Sequence, residues 1–161
     1  MSTQLTWQEV VAATSDDTEA VAAALAARLA DGAVVVLRGD LGAGKTVFAR
    51  GLARAFGITE PVTSPTFTLV QEYRRPAGGW FFHLDLYRIG AEADAAAFGI
   101  EEFLFNPHAV TAIEWPERIP DLLGEPLTCD ADGRLRGVVP VLLIPLPAGG
   151  RRIRLPATSH E

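Results

Sequence analysis

The sequence predicts an α/β fold, a three-layer sandwich on a mixed central sheet with a small β-hairpin region. Three observations predict it. Residues 33–37 and 109–113 are continuous runs of small and β-branched apolar side chains, as expected of strands buried on both faces. Helical patterns precede and follow the first run. Two further pairs of strand-like segments, 67–73 with 80–87 and 138–146 with 152–155, are joined by proline- and glycine-bearing turns suited to hairpins. With 161 residues, 48% of them hydrophobic, the chain suits one domain spanning 1–161.

Residues 16–30 read as the first helix. Ser15 or Asp16 can cap it, Asp16 and Glu19 have capping-box spacing, and Val21, Leu25 and Leu29 form a stripe. Asp31-Gly32 ends it and the strand 33–37 follows. After a glycine loop, a second helix runs from about Lys45 to Phe56, with Phe48, Leu52 and Ala55 on its inner face and Gly57 as its stop. Residues 58–66 are a loop. The hairpin comes next, with Arg74 and Arg75 in a solvated turn. Short helices at 91–98 and 100–105 break at Gly99, and the strand 109–113 ends at Glu114-Trp115-Pro116. Pro140 and Pro145 place the last hairpin at a sheet edge or at bulges.

Composition removes several functions. No apolar run is long enough for a transmembrane helix, and the first residues carry no secretory signal pattern. The single cysteine, Cys129, fits a reducing cytoplasm and excludes an internal disulfide or a cysteine metal cluster. A net charge of −6 argues against non-specific nucleic-acid binding, so RNA would be reached through a partner or one arginine patch. The 14 basic residues are 13 arginines and one lysine, Lys45. A position that stays lysine in so arginine-biased a chain has a chemical demand. A phosphate cradle admits a compact ammonium rather than a planar fork.

That lysine sits in Gly39-Asp40-Leu41-Gly42-Ala43-Gly44-Lys45-Thr46, which satisfies G-x-x-x-x-G-K-[ST]. The glycines let successive backbone N–H groups turn inward on phosphate oxygens, and the following helix adds its positive end. Lys45 then reaches the terminal phosphates of a nucleoside triphosphate and the Thr46 hydroxyl ligates Mg²⁺. A chance match in a chain of this length has odds on the order of one in a hundred. The buried strand before the motif and the helix after it lower those odds further. The motif thus predicts a P-loop nucleoside-triphosphatase sandwich that binds a nucleoside triphosphate with Mg²⁺.

Such a site needs carboxylates at the ends of neighbouring strands. Glu114 and Asp85 both qualify. One holds the metal and the other orients water, and the residues alone do not divide the two roles. Ser64-Pro65-Thr66 reads first as an ordinary turn, with a γ-phosphate sensor as the functional alternative. His83 reads as a structural histidine, and Trp115 as core or pocket rim.

Taken in order, GDLGAGKT, SPTFTLVQEY, HLDLYR and IEWPER resemble the TsaE family, also called YjeE. The resemblance covers about residues 15–120. It implies a small bacterial ATPase of slow turnover, needed for the threonylcarbamoyladenosine modification of tRNA. The ATPase would work with a TsaB–TsaD pair that performs the transfer to tRNA. By motif match it implies Thr46 and Glu114 as Mg²⁺ ligands and Asp85 as a further acid of the hydrolytic centre. It also implies Thr66 in a switch-like loop, Trp115 near the nucleotide, and Asp16 as a nucleotide contact. Residues 121–141 match no pattern of the family. Two other readings stay open: a small-molecule kinase, and an ATP-dependent binding switch without significant hydrolysis.

Overall fold

The computed structural model describes residues 6–65 and 68–157. Its strands are β1 (Trp7–Ala12), β2 (Leu29–Arg38), β3 (Val70–Arg74), β4 (Trp80–Asp85), β5 (Ala109–Glu114), β6 (Thr128–Cys129), β7 (Leu135–Pro145) and β8 (Arg151–Pro156). The helices are α1 (Ser15–Ala26), α2 (Lys45–Ala55) and α3 (Glu92–Ala97), with 3₁₀ turns at Ile100–Phe103 and Pro116–Arg118. One mixed sheet runs in the order β1-β8-β7-β2-β5-β4-β3, with β6 paired to β7. The inner strands β7, β2, β5 and β4 are parallel, and antiparallel strands flank them. This is the α/β sandwich with a mixed sheet that the sequence predicts.

Strand alternation sends Val35, Leu37, Phe81, Val110 and Ala112 to one face, where they pack with α1 and α2. Val34, Val36, Phe82, Leu84 and Ile113 pack on the other face with Ala95 of α3, Ile100 and Leu104. Helices therefore cover both faces.

Several boundaries differ from the sequence reading. The cap of α1 is Thr14, whose side chain accepts from Asp17 N–H while the Asp17 carboxylate accepts from Thr14 N–H. The helix ends at Ala26, because Leu29 already pairs with β7. Asp31-Gly32 is then an irregularity inside β2, where the register shifts between Leu29 and Ala33. Thr18, Ala22, Leu25 and Ala26 form the buried stripe. Ala55 faces solvent, while Ala49 and Ala53 are buried. The stop of α2 is as expected. Gly57 N–H donates to Arg54 O and Ile58 N–H to Ala53 O, the paired bonds of a Schellman end.

The strand β1 has no counterpart in the sequence reading. It pairs antiparallel with β8. Nor is β7 an edge strand, since it lies between β2 and β8. Pro140 is tolerated because its nitrogen faces away from β2, on the side where Val138 N–H donates to Glu125 O and the pairing with β8 reaches only to Leu142. Arg75 is not a solvated turn residue. Its guanidinium sits 2.8 Å from Asp31 and lies over the Phe56 ring. Residues 121–141 contain a small turn in which Asp130 accepts from Asp132 and Arg134 N–H before β7 begins.

The helices α1 and α2 meet at Gly51. A Cβ there would lie 2.7 Å from both Ala22 Cβ and Glu19 Cα. Alanine in a helix interior is favoured over glycine by about 0.8–1.0 kcal/mol, but overpacking costs about 1–3 kcal/mol. Overpacking should win. Gly51→Ala is expected to destabilise the chain by about 1–2 kcal/mol in urea unfolding, and a gain in stability would show that the helices separate freely.

Candidate functional site

The parallel register of β2, β5 and β4 builds the site. Leu37 pairs with Glu114 and Glu114 with Asp85, so three neighbouring strands end at one level. The carboxyl ends of parallel strands are where α/β sheets bind ligands. Two residues beyond Leu37 the glycine loop begins. Positive φ angles at Gly39 (156°), Gly42 (78°) and Gly44 (97°) curl it. At Gly44 the positive φ disfavours any side chain, and a Cβ would also push on the guanidinium of Arg151, whose Nη1 contacts Thr18 Oγ1 at 3.1 Å.

The two long helices start differently. The side chains of Thr14 and Asp17 cap α1, whereas Gly44 opens α2 with no side-chain cap. The N–H groups of Lys45, Thr46 and Val47 have no carbonyl one turn back. They add to the positive end of the helix dipole, a ready anion site.

Lys45 is only 5% exposed. Its ammonium donates to Gly39 O at 2.6 Å and stands 3.5 Å above the centre of the Trp115 ring. Burial lowers the pKa of Lys45, with Glu114, Glu117, Asp85 and Asp40 opposing the shift. Trp115 reaches this position through a left-handed backbone, φ 61°, before Pro116, and its ring tilts against Tyr87 at 5.1 Å.

Glu114 and Asp85 are 4% and 6% exposed. The Thr46 hydroxyl lies 3.1 and 3.0 Å from the two Glu114 oxygens, and His83 Nε2 lies 2.7 Å from Oε2. Asp85 accepts from Ser64 Oγ and, at 3.0 Å, from Tyr87 N–H. The fold thus gathers Lys45, Thr46, Asp85, Glu114 and Trp115 around the loop 39–46. Within it, Gly39 and Asp40 accept through their carbonyls from Lys45 and Ala43, Ala43 is buried, and Leu41 is 68% exposed. Asp16 is exposed in the first turn of α1, and Thr18, two residues on, meets the loop through Arg151. Thr66 lies outside the described residues.

Three further residues join the site. His83, read from the sequence as a structural histidine, touches Glu114; Ser64, read first as part of an ordinary turn, touches Asp85; and Arg151, which the sequence reading did not single out, backs Gly44. The strand parity that His83 shares with Asp85 two residues on is the signal that could have tied it to the site. A hard cation prefers oxygen ligands, and the Thr46 hydroxyl and Glu114 carboxylate already converge. The described residues contain no group of three or more His, Cys, Asp or Glu side chains suited to a metal. Any Mg²⁺ here would draw its remaining ligands from phosphate and water, as Mg²⁺ commonly does.

Residues 12–135 match the family model of the threonylcarbamoyl adenosine biosynthesis protein TsaE. The chain is similar to tRNA threonylcarbamoyladenosine biosynthesis protein TsaE of Synechocystis, 45% identical over 61% of this chain and 63% of that protein. It is 39% identical to the protein of the same name from Bacillus subtilis, over 74% of this chain and 72% of that one. The match to the Synechocystis relative therefore spans less than two thirds of its length. A crystal structure of B. subtilis YdiB superposes with a TM-score of 0.73 at 28% identity, covering 98% of this chain and 90% of that one.

The lowered pKa of Lys45 has a sign that can be checked. The unfolded chain holds this proton more tightly, so the buried ammonium opposes folding at neutral pH. The penalty fades as pH rises toward the ordinary lysine value of 10.5. Lys45→Met, which keeps the apolar stem, should raise the Tm of the chain at pH 7. The difference should shrink between pH 7 and 9.5 in thermal melts.

Proposed function

The chain belongs to the TsaE family, and from that premise we propose that it is an ATP-binding, weakly ATP-hydrolysing accessory subunit for the threonylcarbamoyladenosine modification of tRNA. One observation carries the reading. The uncapped start of α2 and its glycine loop face Lys45, Thr46, Asp85 and Glu114 at the carboxyl ends of three parallel strands.

In this reading the loop N–H groups cradle the phosphates. The Lys45 ammonium leaves the Gly39 carbonyl and the Trp115 ring for the terminal phosphates. That exchange is favourable because a polyanion offsets the desolvation that its present position imposes. Thr46 and Glu114 hold Mg²⁺, which when bound neutralises charge on the transferring phosphoryl group. Asp85, oriented by Ser64 and Tyr87 N–H, aligns or deprotonates the attacking water. Trp115 borders the nucleotide. Asp16 and the switch-like segment with Thr66 are the remaining nucleotide contacts carried over by family resemblance.

A TsaB–TsaD-like complex is the proposed partner, and tRNA is reached through it, in keeping with a net charge of −6. No helix among the described residues is long and apolar enough to cross a membrane, and the proposed location is the cytoplasm.

Three experiments test this. Lys45→Ala should lose ATP binding in a calorimetric titration while circular dichroism is unchanged, and undiminished affinity would remove Lys45 from the site. Asp85→Asn should cut turnover by about a hundredfold with ATP affinity retained. The unaltered chain should hydrolyse ATP slowly alone and change rate when a TsaB–TsaD-like pair is added. Brisk hydrolysis that ignores the pair would sink the accessory role.

A further inference from the structure

We propose that His83 is a positioning residue that holds the Glu114 carboxylate in the orientation from which it takes Mg²⁺; this rests on reading the site as a Mg²⁺–nucleotide site. Glu114 is buried and presents two oxygens with several acceptor positions. Thr46 brings a single hydroxyl hydrogen, lying 3.1 and 3.0 Å from the two oxygens. One hydrogen shared between two oxygens does not fix the rotation of a carboxylate. The second donor is His83 Nε2, 2.7 Å from Oε2.

The geometry of the sheet makes this donor rigid. His83 pairs with Ala112, and Asp85 with Glu114, so the ring sits one pleat below the two carboxylates on the same face. The ring is fully buried, which leaves it no solvent-facing rotamer. A carboxylate only accepts, so Nε2 carries the hydrogen of this bond.

The Nδ1 atom separates this role from simple packing. It is buried and has no hydrogen-bond partner among the described residues. Buried polar atoms are nearly always partnered, and an apolar side chain would fill the same space without that cost. An imidazole here makes one described hydrogen bond, and that bond goes to Glu114. Metal-binding groups are commonly oriented in this way by a hydrogen-bonded neighbour, whose loss typically costs about 10–100-fold in metal affinity.

The test compares two amides of different reach. The longer side chain of His83→Gln can place an N–H near the position of Nε2, whereas His83→Asn is one methylene too short. Binding of a fluorescent ATP analogue to the full chain is titrated at rising Mg²⁺ concentration and again in EDTA. Thermal melts establish that both variants fold. His83→Asn should raise the Mg²⁺ concentration for half-maximal binding by about tenfold and leave affinity in EDTA unchanged. It should lower kcat more than it raises KM at saturating Mg²⁺. His83→Gln should recover most of the Mg²⁺ response. Equal Mg²⁺ requirements in the two variants, whether both normal or both impaired, would overturn the proposal. Failure of the unaltered chain to bind the analogue at any Mg²⁺ concentration would instead overturn the nucleotide reading on which it rests.

Discussion

The carboxylate of Glu114 lies at the centre of this structure because it is buried and must be satisfied. An isolated carboxylate in such a place is costly, and a buried charge persists only with good hydrogen-bond partners. Its partners come from two different elements. Thr46 opens α2 and His83 lies on β4, while Glu114 itself ends β5. Satisfying one side chain therefore ties the first turn of the glycine-loop helix to the two strands beside it. Removing either partner would leave a half-satisfied buried acid, which is worse than an apolar substitute.

Around this point the chain tolerates backbone that an ordinary segment avoids. Gly44 holds a left-handed conformation against the Arg151 guanidinium, and Trp115 holds one with a full side chain. A non-glycine residue in that region costs of order 1–3 kcal/mol. Here it brings the indole over the Lys45 ammonium and beside Tyr87. The ammonium is in turn held by the loop that it would leave on binding an anion. These weak contacts close the site on itself, while the dense packing of α1 on α2 at Gly51 supports it from behind.

The strands on the far side of β2 have a different job. The strands β1, β7 and β8 continue the sheet beyond the glycine loop, and β8 delivers Arg151 to Gly44. The C-terminal hairpin therefore bears directly on the loop, although the family model, which does take in residues 121–135, ends where β7 begins. The described fold extends past the segment that carries the family's motifs, and the YdiB structure matches it over nearly the whole chain.

Much of this was legible in the sequence. Its clearest features are local ones. The run 33–37, the loop 39–46 and the helix after it are encoded within about twenty consecutive residues. Glycine spacing and apolar periodicity suffice to read them. The acids ending two strand-like runs, Asp85 and Glu114, were visible for the same reason. What the sequence could not settle involves choices between local alternatives, or contacts between distant segments. Thr14 rather than Ser15 caps α1 because Thr14 and Asp17 exchange the capping-box bonds, and the pairing of Leu29 with β7 fixes where the helix ends. Pro140 is accommodated inside the sheet because of what lies beside it. Asp85 and Glu114 become neighbours only through strand register, and Glu114 meets His83 and Thr46 from 31 and 68 residues away. The sequence by itself determined the glycine loop and the acids that end two strands, since both follow from short-range geometry. Only the tertiary structure decided which side chain holds which, since register and packing are set by the whole sheet.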